Sequence, residues 1–114
     1  EGPPVTMAPA ATVKAALADA AWWVTRHAVE RWCERYDETA TQPDAAAVLA
    51  RVSREAIDTG AETYNGRAIY LHPDWPHARF VVARSPRPRK DALVTILDAV
   101  VVQAALERRR KSRR

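Results

Sequence analysis

The chain is poor in the residues that announce several function classes. It has a single cysteine, Cys33, in 114 residues. That excludes an internal disulfide framework and a Cys-rich zinc module, and a lone thiol fits a reducing compartment. The glycines are Gly2, Gly60 and Gly66 alone. No Gly-rich phosphate loop can be built from them, which sets aside P-loop and dinucleotide chemistry. A Ser-centred nucleophile elbow is missing too. No apolar run approaches the roughly 18 residues of a membrane-spanning helix. The Ala-rich stretch 10–21 is broken by Lys14 and Asp19 and makes a poor signal-peptide core. These absences predict a soluble, cytoplasmic protein that uses no cofactor and does not enter a membrane.

What is present is a hydrophobic share of 47% and a formal net charge of +4. The length suits one domain, and the apolar content suffices for a core. The charge is uneven. Residues 106–114, LERRRKSRR, hold six basic residues and one acid, so the rest of the chain is close to neutral. A second basic cluster, Arg84, Arg87, Arg89 and Lys90, lies in a short connection between two apparent strands. Basic clusters attract phosphate and release counterions, making nucleic acid the natural partner. The plain alternative for the tail, with Arg108, Arg109, Arg110 and Lys111, is a solvated helix end whose cations suit the helix C-terminus.

The pattern along the chain predicts an α+β fold: two N-terminal helices packed on a three- to four-stranded antiparallel sheet, with a C-terminal basic helix. Residues 1–10 read as a leader outside the fold, with Met7 a candidate start; 11–105 form one domain and 106–114 a basic tail. Residues 11–21 have helix propensity. Trp22, Trp23 and Val24 end a helix or form a brief strand, and Thr25 is placed to cap the helix that follows. Within 26–36, His27, Arg31 and Arg35 fall within about 80° of each other at 100° per residue. Ala28, Val29, Trp32, Cys33 and Tyr36 take the opposite, core-facing side. Asp44 is placed to cap a second helix over about 45–58, with Gly60 as its C-cap. Asn65-Gly66 predicts a two-residue type I′ hairpin turn between AETY and RAIYLH. ARFVVAR (78–84) and DALVTILDAV (91–100) read as further strands, and the chain ends in a helix.

The run Val24-Thr25-Arg26-His27-Ala28-Val29-Glu30-Arg31-Trp32-Cys33-Glu34-Arg35, with the later strand Leu93-Val94-Thr95-Ile96-Leu97, resembles small bacterial and phage proteins of the RelE/BrnT-like, colicin-type ribonuclease fold. The resemblance covers roughly residues 22–98. It implies helices followed by a curved four-stranded antiparallel sheet, and a toxin-type, metal-independent ribonuclease or RNA-binding domain. A protein partner, an antitoxin or a host protein, would accompany it. Metal-free RNA cleavage needs a base, an acid and cations around one phosphate. On that reading His27 would be the base or acid and Arg31 a phosphate clamp, with Arg84 adding charge from the sheet. Arg35, Arg87, Arg89, Lys90, Arg108, Arg109, Arg110 and Lys111 would bind the nucleic acid, and Thr95 and Tyr70 would offer hydroxyls.

Plainer readings stand beside these. The His27–Arg31–Arg35 line with Glu30 and Glu34 is also what a solvated helix face looks like. His72, Asp74 and His77 have no recognised metal-ligand spacing, and a surface turn accounts for them. Trp75 either stacks on a base or fastens that turn to the core. The alternative function is a non-enzymatic phage or bacterial binding module that attaches to a host protein or nucleic acid through its basic loop and tail.

Overall fold

The computed structural model describes residues 12–112. The expected leader at 1–10 and the final two arginines lie outside the described residues. The elements run α1 (Val13–Ala16), β1 (Trp23–Val24), α2 (Arg26–Arg35), α3 (Gln42–Glu55), β2 (Ile57–Glu62), β3 (Ala68–Leu71), β4 (Ala78–Ala83), β5 (Ala92–Asp98) and α4 (Ala99–Ser112). The α+β class is as expected, but the sheet is not. It has five strands in the order β1-β5-β4-β3-β2, and β1 pairs with β5 in parallel. Only the pairs from β2 to β5 are antiparallel. The added strand is Trp23–Val24, too short for its alternation to be read from sequence.

Strand alternation sorts the sheet into two faces. Phe80 lies opposite Tyr70 and Ile96, and these point the same way as Ala78, Val82 and Leu93. That face packs against Ala28, Val29 and Trp32 of α2 and Ala45, Leu49 and Val52 of α3. Trp32 sits at its centre, stacked on Tyr36 with ring centroids 5.0 Å apart and on Phe80 at 6.2 Å. Trp75 meets Trp32 edge-on at 5.1 Å and has Arg51 over its ring, so it fastens the 72–77 turn to the core. The opposite face carries Ile69, Val81, Thr95 and Leu97, and α4 lies across it.

Several local expectations hold, and the others shift for identifiable reasons. Thr25 caps α2 through its hydroxyl, which accepts from Ala28 N. The first helix is reduced to four residues, none fully buried, with Val13 and Ala16 half-buried against the core. The second helix starts earlier than expected: Thr41 is the N-cap, and Asp44 is the third helical residue, closing a reciprocal capping box. Gly60 is not a C-cap. Ala56 ends α3, and Gly60 sits within β2 at a pairing irregularity with φ +82°. The Asn65-Gly66 turn is not type I′, since Gly66 alone of the pair has positive φ. Gly66 N donates to Thr63 O and Thr63 N to Arg67 O, both at 2.9 Å. This is the three-residue hairpin loop with glycine in the left-handed position. The last helix follows β5 without a loop and runs unbroken from Ala99 to Ser112. The basic residues 108–111 therefore belong to an element docked on the sheet.

Candidate nucleic-acid interface

The α2 line forms as the periodicity predicts. His27 is exposed, Arg31 half-buried and Arg35 exposed. Arg31 Nε donates to His27 Nε2 at 3.3 Å, and the same guanidinium pairs with Glu34 at 3.3 Å. Arg26 and Glu30 pair at 3.1 Å beside them. Burial first, then the carboxylate of Asp37, holds the Cys33 thiol above its ordinary range, which disfavours the thiolate.

Arg84 does not join this line. Its guanidinium binds Glu62 Oε2 at 2.7 Å and Asp58 Oδ2 at 3.5 Å, both on β2. The hydrogen bond to Glu62 is the main reason its pKa is raised. α2 packs on β5, whereas Arg84 directly follows β4 and reaches across to the carboxylates of β2, which balance its charge. The two hydroxyl candidates separate as well. Thr95 pairs with Val81 on the α4 face, while Tyr70 is opposite Phe80 and meets Trp22 edge-on at 5.1 Å.

In the 84–91 connection, Lys90 Nζ is used structurally, donating to Ala20 O at 2.7 Å. Arg87 and Arg89 are exposed. In the preceding 72–77 turn, His72 is buried, its Nε2 2.8 Å from Glu55 Oε1 and its Nδ1 accepting from Asp74 N at 3.1 Å. Among the described residues, no group of three or more His, Cys, Asp or Glu could hold a metal ion. None of their helices is long and apolar enough to cross a membrane.

The concave feature that gathers cations is on the other face. A groove of about 690 Å³ runs between α4 and the β2–β3 hairpin. Its floor is Ile69, Val81 and Leu97 from the sheet with Val101 and Leu106 from α4. Arg67 from the hairpin and Arg108 and Arg109 from α4 line it, with no Asp or Glu among the described lining residues. Arg109 is positioned by the Glu62 carbonyl, which accepts from its Nη1 at 2.7 Å. Arg110 and Lys111 are exposed farther along α4. Tyr64 stands at the hairpin tip with 86% of its surface exposed. Arg108, Arg109 and Thr95 of the sequence candidates meet here. Arg67 and Tyr64 were missed; the signal for them was an aromatic and an arginine immediately flanking a hairpin turn, where neither can reach the core. No family model, curated protein or solved structure matches the chain.

Proposed function

We propose that this domain binds RNA, holding a strand along the groove between α4 and the hairpin. The observation that supports this reading is the charge of the groove: three arginines from two separate elements and no Asp or Glu among the described lining residues. A phosphodiester strand needs cations along a line, and helix-end electrostatics accounts for only part of this set. Cations in the last turn of a helix favour the C-terminal dipole, which is a sufficient structural reason for Arg109, Arg110 and Lys111. Arg67, on the hairpin, has no such reason. The described lining residues include no His, Asp, Glu or Lys, so their chemistry suits holding a strand more than cutting one. This keeps the RNA-binding part of what the ribonuclease-fold resemblance implies.

The test is fluorescence anisotropy with a short labelled RNA. Three phosphate contacts give a log–log salt slope near −2, or roughly 20-fold weaker binding between about 50 and 200 mM salt. Arg67→Ala should weaken binding and flatten that slope by about 0.7. If the α4 terminus alone carried binding, Arg67→Ala would be silent, while Arg110→Ala with Lys111→Ala would be severe. No binding at low salt would end the RNA reading and leave a protein-binding module.

A further inference from the structure

We propose that a second groove, between α1 and the β1 edge of the sheet, binds a small amphiphile with one anionic head, of the class of long-chain carboxylates. The groove encloses about 880 Å³, inside the range of small-ligand sites, about 300–1,000 Å³. Val13 and Leu17, one helical turn apart, form the α1 wall, and Trp22 and Trp23 form the other. This groove shares no described lining residue with the α4 groove. β1 and β2 also stand at opposite edges of the sheet, so the occupancy of this groove is independent of the RNA reading above.

Three observations select the occupant. The first is Trp23, which is 68% exposed, beside a Trp22 buried against Tyr70 and Phe80. A single exposed apolar side chain is ordinary. One that walls a groove together with other apolar side chains offers area that a ligand removes from water. The second is charge. Lys14 of α1 and Lys90 of the 84–91 connection line the groove, and no Asp or Glu is among its described lining residues. Lys90 Nζ donates to Ala20 O at 2.7 Å. That bond fixes the ammonium in place, uses one of its three donors, and leaves its charge facing a neutral partner. The third is how little else in the lining side chains can hydrogen-bond. Thr12 supplies the one hydroxyl, and it already accepts from Ala15 N at 3.1 Å. A peptide or a nucleobase would bring several donors and acceptors against walls that match few of them, and unpaired polar groups are costly to bury. An alkyl chain brings none, and its carboxylate meets the ammonium groups.

Isothermal titration calorimetry on the full chain tests this with three probes, each below the concentration at which it forms micelles: decanoate, octanoate and decylammonium. Decanoate should bind about tenfold more tightly than octanoate, the loss expected for two buried methylenes. Decylammonium, which sets a like charge against the lysines, should bind about tenfold more weakly than decanoate or worse. Trp23→Ala should weaken decanoate about tenfold with a parent-like melting curve, since Trp23 is mostly exposed. Lys14→Ala should weaken decanoate about threefold and leave the ratio of decanoate to octanoate unchanged. Should Trp23→Ala unfold, Lys14→Ala on its exposed position carries the test alone. No decanoate binding would overturn the proposal. So would equal affinity for decanoate and decylammonium, or decanoate binding that neither substitution changes, which would place the ligand elsewhere. None of these outcomes touches the RNA measurement.

Discussion

Thr25 joins the helical layer to the sheet, and replacing it with valine tests how much one hydroxyl contributes. Its Oγ1 accepts from Ala28 N at 3.2 Å, capping α2, and donates to Leu93 O at 2.8 Å, tying the helix start to β5. Valine keeps the shape and removes both interactions. Loss of an N-cap costs about 1 kcal/mol. Loss of the part-buried hydroxyl–carbonyl bond adds about 1 kcal/mol. No larger penalty follows, because Leu93 O still accepts from Thr25 N at 3.2 Å. Thr25→Val should therefore cost roughly 2 kcal/mol, or on the order of 8–10 °C in Tm for a domain of this size. Thr25→Ser should stay within about 0.5 kcal/mol of the parent. Thr12 is the control: its hydroxyl caps α1 in the same way, but α1 is a single turn whose core-facing side chains are only half-buried. Thr12→Val should cost less than about 0.5 kcal/mol, since a one-turn helix with so little burial contributes little. Urea and thermal unfolding followed by circular dichroism measure all three. The reasoning fails if Thr25→Val is neutral, or if Thr12→Val is equally damaging.

At Gly66 an added Cβ would meet nothing within 4 Å, but φ is +81°. Gly66→Ala should cost about 1 kcal/mol of pure backbone strain, read as a lower urea midpoint with an unchanged slope, and Gly66→Asn should cost less. Glu55 has its pKa lowered by the hydrogen bond from His72 first and by Arg51 as well. Its folded form holds a proton less readily than the unfolded chain, so its contribution is present above the ordinary carboxylate range and is lost as pH falls through the lowered value. Glu55→Gln should accordingly lower Tm near neutral pH and converge on the parent toward pH 3; a constant difference across that range would contradict the assignment.

Helices and hairpin were legible wherever one physical signal dominated. Trp32 with Ala28 and Val29 marked the buried side of α2, and Thr25 marked its start. Thr41 was overlooked because Asp44 is itself a good cap; only the reciprocal pair with Thr41 shows which residue begins the helix. Gly60 shows the same ambiguity, since a glycine after a helical run serves equally as a cap or as an irregular strand position with positive φ. The parallel strand was out of reach because two residues carry no period. The site was legible only in part. Periodicity finds lines along one helix, and it found His27, Arg31 and Arg35. It cannot tell which face of a sheet a helix covers, and that decides where Arg108 and Arg109 lie.

The two faces of the sheet sort the candidate residues. Alternation in β4 sends Phe80 and Val82 toward α2 and α3, and Val81 toward α4. Every candidate then follows the parity of its strand position. Thr95, opposite Val81, goes to the groove; Tyr70, opposite Phe80, goes to the helical core. Asp58 is opposite Tyr70 and engages Arg84, so Arg84 is used on the helical side and withdrawn from the groove. A single-residue register slip would exchange these assignments. On the α4 face Arg67, Arg108 and Arg109 line an apolar strip. A helix that only covered the sheet could bury its apolar side chains completely. α4 instead buries Val102 and leaves Val100 and Val101 exposed, keeping the strip open along one side. A closed cap would stabilise the sheet more, and an open one is what a strand-binding groove requires.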